Sequence, residues 1–133
     1  MSPNQSATAK SGMATGTIQN LGFESGNDGN GNYYAKYPDG TLFCWGFFSI
    51  AQATWSSPTA SGAFYDTHCD PSVTFAHAFT SVPAVSATSK LQTVATVVIN
   101  PTTTALNYIA VWRHTSSKPG TGDWQYLAIG KWN

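Results

Sequence analysis

The sequence predicts an all-β domain, an antiparallel β-sandwich of about six to eight short strands. Three observations lead there. Short runs rich in Val, Ile, Thr, Tyr, Phe and Trp recur along the chain, punctuated by Pro and Gly. No window supports an amphipathic helix of about ten residues or more. The segment 106–113 alternates: Leu106, Tyr108, Ala110 and Trp112 share one face, and Asn107, Ile109, Val111 and Arg113 the other.

In chain order, residues 1–32 are dominated by Ser, Gly, Asn, Thr and Ala, with Ile18, Leu21 and Phe23 to bury. They read as a flexible linker, in which Ile18 to Phe23 is the candidate for a short ordered anchor. The run from Glu24 to Asn32 carries too little apolar surface for a core and reads as linker or turn. The folded domain is expected over 33–133. Residues 33–37 and 41–48 read as strands flanking Pro38-Asp39-Gly40. Proline presets its own φ there and glycine accepts the positive φ of a tight reversal.

A further strand is expected over 50–55, a loop over 56–62 and a short segment over 63–66. Residues 72–75 lead into His77-Ala78-Phe79, and Pro83 opens a strand over 84–88. The β-branched run 93–99 is bounded by the turn Asn100-Pro101-Thr102. After the alternating strand, the Ser, Lys, Pro and Gly of 114–123 make an exposed loop, and 124–132 closes the domain. The stretches 34–46 and 124–132 both read as strands with aromatic residues on one face.

Composition narrows function. Charged residues make up 9% of the 133 residues, against roughly 25% in an ordinary soluble protein. Six Lys and Arg balance six Asp and Glu, so there is no electrostatic footprint for nucleic acid. Aromatics reach 14%, and neutral hydrogen-bonding residues fill the polar positions. Such a surface suits sugars or another copy of itself. No stretch approaches the roughly 18 to 20 apolar residues of a membrane span, and no signal-peptide pattern opens the chain. Synthesis in the cytoplasm follows, with release by host lysis left open. That setting favours free thiols for Cys44 and Cys69, although the sequence leaves their pairing undecided.

Catalysis has little to stand on. No nucleophile elbow, phosphate loop or His-Glu-x-x-His pattern exists. His68, His77 and His114 are too widely spaced to imply a metal ligand set, and no cofactor is implied. Glycoside hydrolysis needs two carboxylates across a sugar. Only Asp66 and Asp70, flanking His68, lie near each other; an extended chain there points 66, 68 and 70 the same way. The plain alternative is a polar loop ended by Pro71.

For binding, Trp112-Arg113-His114 supplies an apolar plate, a fork of donors and a ring nitrogen within three residues. Tyr65, Asp66 and His68, with Trp124 and Tyr126 across the loop, are the residues expected to complete a pocket. The plain alternative makes Trp112 and Trp124 core residues and Arg113 a solvated one. Trp45, Trp55 and Trp132 read as core or inter-subunit packing.

Residues 34–46 follow the pattern Tyr-x-Lys-x-x-Asp-Gly-Thr-Leu-x-Cys-x-Gly. Phe79 and Pro83-Ala84-Val85 come next, then a Thr-rich turn and strand from Asn100 to Leu106, then Trp124 with Ala128-Ile129-Gly130-Lys131-Trp132. In this order the elements resemble the C-terminal receptor-binding knobs of bacteriophage tail fibres, and more loosely the H-type lectins. The terminus departs from the knob pattern by inserting Gln125-Tyr126-Leu127. The resemblance implies a homotrimer joined to a fibre stalk or tail protein, part of the virion, that binds a bacterial surface saccharide (lipopolysaccharide or capsule) without hydrolysing it. Against it stand a structural trimerisation module, a polysaccharide depolymerase fragment, and a cellular lectin of the H-type class.

Overall fold

The computed structural model describes residues 23–89 and 96–133. Their strands, in chain order, are β1 (Glu24–Asn27), β2 (Asn32–Lys36), β3 (Thr41–Ile50), β4 (Thr59–Ser61), β5 (Phe64–Cys69), β6 (Val73–Thr74), β7 (Ala84–Ser89), β8 (Thr96–Pro101), β9 (Ala105–Arg113) and β10 (Gly122–Lys131). They form two sheets in which every pairing is antiparallel. The first has the order β1-β2-β3-β10-β7. The second is built on β9, with β8 along one edge and β5 and β6 sharing the other. The all-β sandwich expected from the sequence is the fold observed. Among the described residues no helix is long and apolar enough to cross a membrane.

Alternation makes the interior. Leu42 and Cys44 on β3 and Trp124, Tyr126 and Ala128 on β10 point inward from the first sheet. Cys69, Ile109 and Val111 meet them from the second, with Trp55, Phe75 and Phe79 closing the ends. Removing such a side chain from water stabilises the fold by about 1.5–3 kcal/mol. Two buried polar side chains are linked there: Tyr126 Oη donates to Asn32 Oδ1 at 2.8 Å, and Asn32 Nδ2 donates to Asp28 Oδ2 at 2.7 Å. Gly46 makes room for this pair, because a Cβ there would meet Asn32 Oδ1 at 2.7 Å.

The expected hairpin turn is present. Gly40 takes φ +93°. Asp39 Oδ1 accepts the Thr41 N–H at 2.8 Å, and Tyr37 O accepts the Gly40 N–H at 3.1 Å. Backbone pairing overrode composition elsewhere. Residues 24–32, expected as linker, are built into the first sheet, because β1 pairs with β2 over four residues and the Glu24 carboxylate accepts from Tyr34 Oη and pairs with Lys36. Asp28 closes the connecting turn by accepting the N–H groups of Asn30 and Asn32 at 2.7 and 3.2 Å. The first sheet therefore includes residues from Glu24 onward; the rest of the expected linker, residues 1–22, including most of the Ile18 to Phe23 anchor, lies outside the described residues.

The expected strand over 50–55 is instead the end of β3 and a 3₁₀ turn, Gln52–Thr54, which swings Trp55 into the core. In β9 the register shifts between Ile99 and Pro101: Ile99 faces Ile109, and Pro101 faces Leu106. The extra residue is a β-bulge, and it turns Leu106 inward with Ile109, away from the face of Tyr108, Ala110 and Trp112.

Cys44 and Cys69 are free thiols buried in this core. Burial pushes the Cys44 thiol up to about 11 and, with Asp70 adding a smaller push, Cys69 up to about 12. Both folded values lie above the unfolded value near 9, so the unfolded chain loses its thiol protons first. The thiols' contribution to stability is complete below pH 9 and drains as pH rises toward 11 to 12. At pH 8 a thiol reagent is expected to leave both cysteines untouched in the native protein and to label two per chain in denaturant. Fast labelling of the folded protein would place a cysteine outside the core.

Candidate functional site

The residues singled out from the sequence divide between the two faces of the second sheet, and strand pleat decides which goes where. Tyr65 lies opposite Arg113, and Asp66 opposite Trp112, in the β5–β9 register. Successive side chains point to opposite faces. Arg113 therefore turns into the sandwich between the outward-facing Trp112 and His114. It is 4% exposed and its Nη1 donates to the Ser117 carbonyl. The guanidinium holds the 114–121 loop from inside instead of forking outward beside Trp112. Tyr65, half-buried, shares its inner face.

Trp124 and Tyr126 are also removed from the expected pocket. They are 1% and 3% exposed, on the inner face of β10 in the other sheet. The Trp124 ring packs on Trp55 at 6.0 Å and on Phe48 at 6.4 Å. Burial pushes the Tyr126 phenol well above its ordinary range, with Cys44 and then Asp28 adding to it. These two residues are core.

What remains is brought together. On the outer face of the second sheet, Trp112 is 40% exposed directly opposite Asp66, whose other neighbour is Thr59 on β4. Phe64, two residues before Asp66 and on the same face, lies 6.1 Å from the Trp112 ring and 4.9 Å from His114. His68 stacks on Tyr108 at 5.5 Å with the rings 22° apart, and its Nδ1 is 3.2 Å from Ser56 Oγ. Phe64 and Tyr108 were not among the expected site residues. Counting by twos from Asp66 and from Trp112 would have found both. Asp66 and His68, read either as part of an extended segment or as part of a polar loop ended by Pro71, are mid-strand, while Asp70 lies just past the end of β5.

One polar atom stands out on this face. Asp66 Oδ1 is buried without a hydrogen-bond partner. The indole N–H groups of Trp55 and Trp124 in the core are in the same condition, and such a group costs about 1–3 kcal/mol. The face thus offers an exposed indole, two further rings (Phe64 and Tyr108), two imidazoles and a carboxylate. No Lys or Arg among the described residues shares these strands' outward positions. Rings of this kind meet the C–H faces of a pyranose, and carboxylate and imidazole accept and donate to its hydroxyls.

No protein-family model matches the chain, and no curated protein matches it. Among solved structures it is similar to the C-terminal part of the R1 pyocin fibre of P. aeruginosa, with a TM-score of 0.52 and 21% sequence identity over 88% of this chain. The match covers 31% of that fibre fragment. At this identity the likeness is one of fold.

Proposed function

We propose that this chain is the tip domain of a phage or phage-like tail fibre, carried on the virion, and that it binds a bacterial cell-surface glycan without hydrolysing it. The observation that carries the reading is the convergence of Trp112, Phe64, His114 and Asp66 on one exposed sheet face. The likeness in fold to a pyocin fibre and the knob-like order of sequence motifs support it. The domain works as a homotrimer attached to a fibre stalk, and three shallow sites acting together compensate for weak single-site affinity. Lipopolysaccharide or capsule is the saccharide source.

A second reading, a trimerisation module that registers a fibre and touches no receptor, is favoured by the apolar outer face of the first sheet. Binding of the purified chain to immobilised lipopolysaccharides and capsular polysaccharides, with reducing ends assayed in parallel, separates the readings. Saturable binding competed by free sugar, with no new reducing ends, is the expected result. An intact trimer that binds no saccharide and no host cell would leave the assembly module. Release of reducing ends would mean a depolymerase.

A further inference from the structure

The outer face of the first sheet, on the far side of the sandwich from Trp112, is apolar. The register aligns Tyr33, Trp45 and Leu127 in one row across β2, β3 and β10, and Phe43 with Ile129 in the next. Phe47, 60% exposed, extends the patch beside Gln125 and Thr88. These three rows contain no Asp, Glu, Lys or Arg; Asp123 and Lys131 mark their two ends along β10. A solvated sheet face is ordinarily polar, and a strand apolar on both sides is one covered on both sides. β10 is of that kind, with Trp124, Tyr126 and Ala128 inside and Leu127 and Ile129 outside. At ~150–250 Å² per aromatic side chain, the exposed apolar area is on the order of 500 Å², high in the range for the largest patch of a monomer.

Three features of the chain narrow what covers it. The 22 residues before Phe23 hold only Met1, Met13, Ile18 and Leu21 as large apolar residues, too few to match this surface. An uncharged face meets its like without leaving a charge unpaired. The chain also enters the domain on this side. The Phe23 ring packs edge-on against Tyr37 at 5.4 Å, and Tyr37 against Phe43 at 5.7 Å. Chains leaving a common stalk arrive together, so the face beside the entry point is the one turned to the axis.

We propose that copies of this chain pack on one another through the outer face of the first sheet, forming a trimer with Trp112 and Asp66 turned outward. This rests on the fibre-tip reading. A groove of about 320 Å³ between Trp45 and Phe47 on β3 and Ser86 and Thr88 on β7 would seat a neighbour's side chain.

The test is molar mass by light scattering on the full chain, alongside Leu127→Lys and the strand-compatible double variant Phe47→Thr with Ile129→Thr. Trp112→Ala is the control on the opposite face. The expected result is three protomers for the parent and the control, and one protomer for the folded variants, with native circular dichroism. Three protomers in every variant would overturn the assignment of the face. A monomeric parent would overturn it too. Saccharide binding is read separately, so a monomer that still binds glycan would sink the interface and leave the adhesin standing.

Discussion

Replacing Trp112 with alanine is expected to abolish adsorption to host cells while leaving the domain folded. The indole is exposed and makes its ring contact with Phe64 from outside the core, so its loss removes binding surface and little stability. Truncating an aromatic anchor at a binding site costs about 2 kcal/mol or more, some 30-fold in single-site affinity. Three linked sites compound that loss. Asp66→Ala is expected to weaken binding comparably, with stability unchanged or raised by about 1 kcal/mol, because Oδ1 forms no hydrogen bond that the change would break. Arg113→Ala is expected to behave differently. It should lower the melting temperature by loosening the Ser117 loop, whatever its effect on binding. Isothermal titration with a binding saccharide and thermal unfolding on the same samples give both readouts. Undiminished binding by Trp112→Ala and Asp66→Ala together would remove this face from the site.

Trp124→Ala is expected to cost about 3–5 kcal/mol, enough to unfold much of a domain whose whole stability is about 5–15 kcal/mol. Trp124 is 1% exposed and joins Trp55 and Phe48 into one aromatic stack beneath the first sheet. Trp124→Phe is expected to cost less, because it leaves a smaller cavity. It keeps most of the ring and discards an Nε1–H that is buried without a partner. Denaturant midpoints of the two variants, measured at fixed protein concentration, provide the comparison. A folded Trp124→Ala protein that loses only glycan binding would instead return Trp124 to the binding site.

Local chemistry was legible in the chain. The Pro38-Asp39-Gly40 reversal needs only a residue tolerant of positive φ and a short acid to accept the next N–H, and both stand in the sequence. The strands on either side, and the β10 segment, followed from their residue types. Of the candidate residues, Trp112, His114, Asp66 and His68 share the outer face of the second sheet. Arg113 was placed with them because proximity in sequence outweighed the pleat, which sends neighbours to opposite faces.

By itself, then, the sequence determined the all-β class, the turns and the membership of most strands, since these rest on φ preferences and on period-two patterns within a few residues. Which side of each strand became interior was decided only in the assembled sandwich. β10 is apolar on both sides, so its alternation alone cannot say whether Trp124 and Tyr126 or Leu127 and Ile129 are buried. Pairing with β3, some eighty residues away in sequence, and cover by β9 from the other sheet chose the first pair. The same holds for β1, whose residues bury almost nothing and are ordered by pairing with β2. Burial is a property of which layers meet, and a one-residue bulge such as that at Leu106 is enough to reassign it.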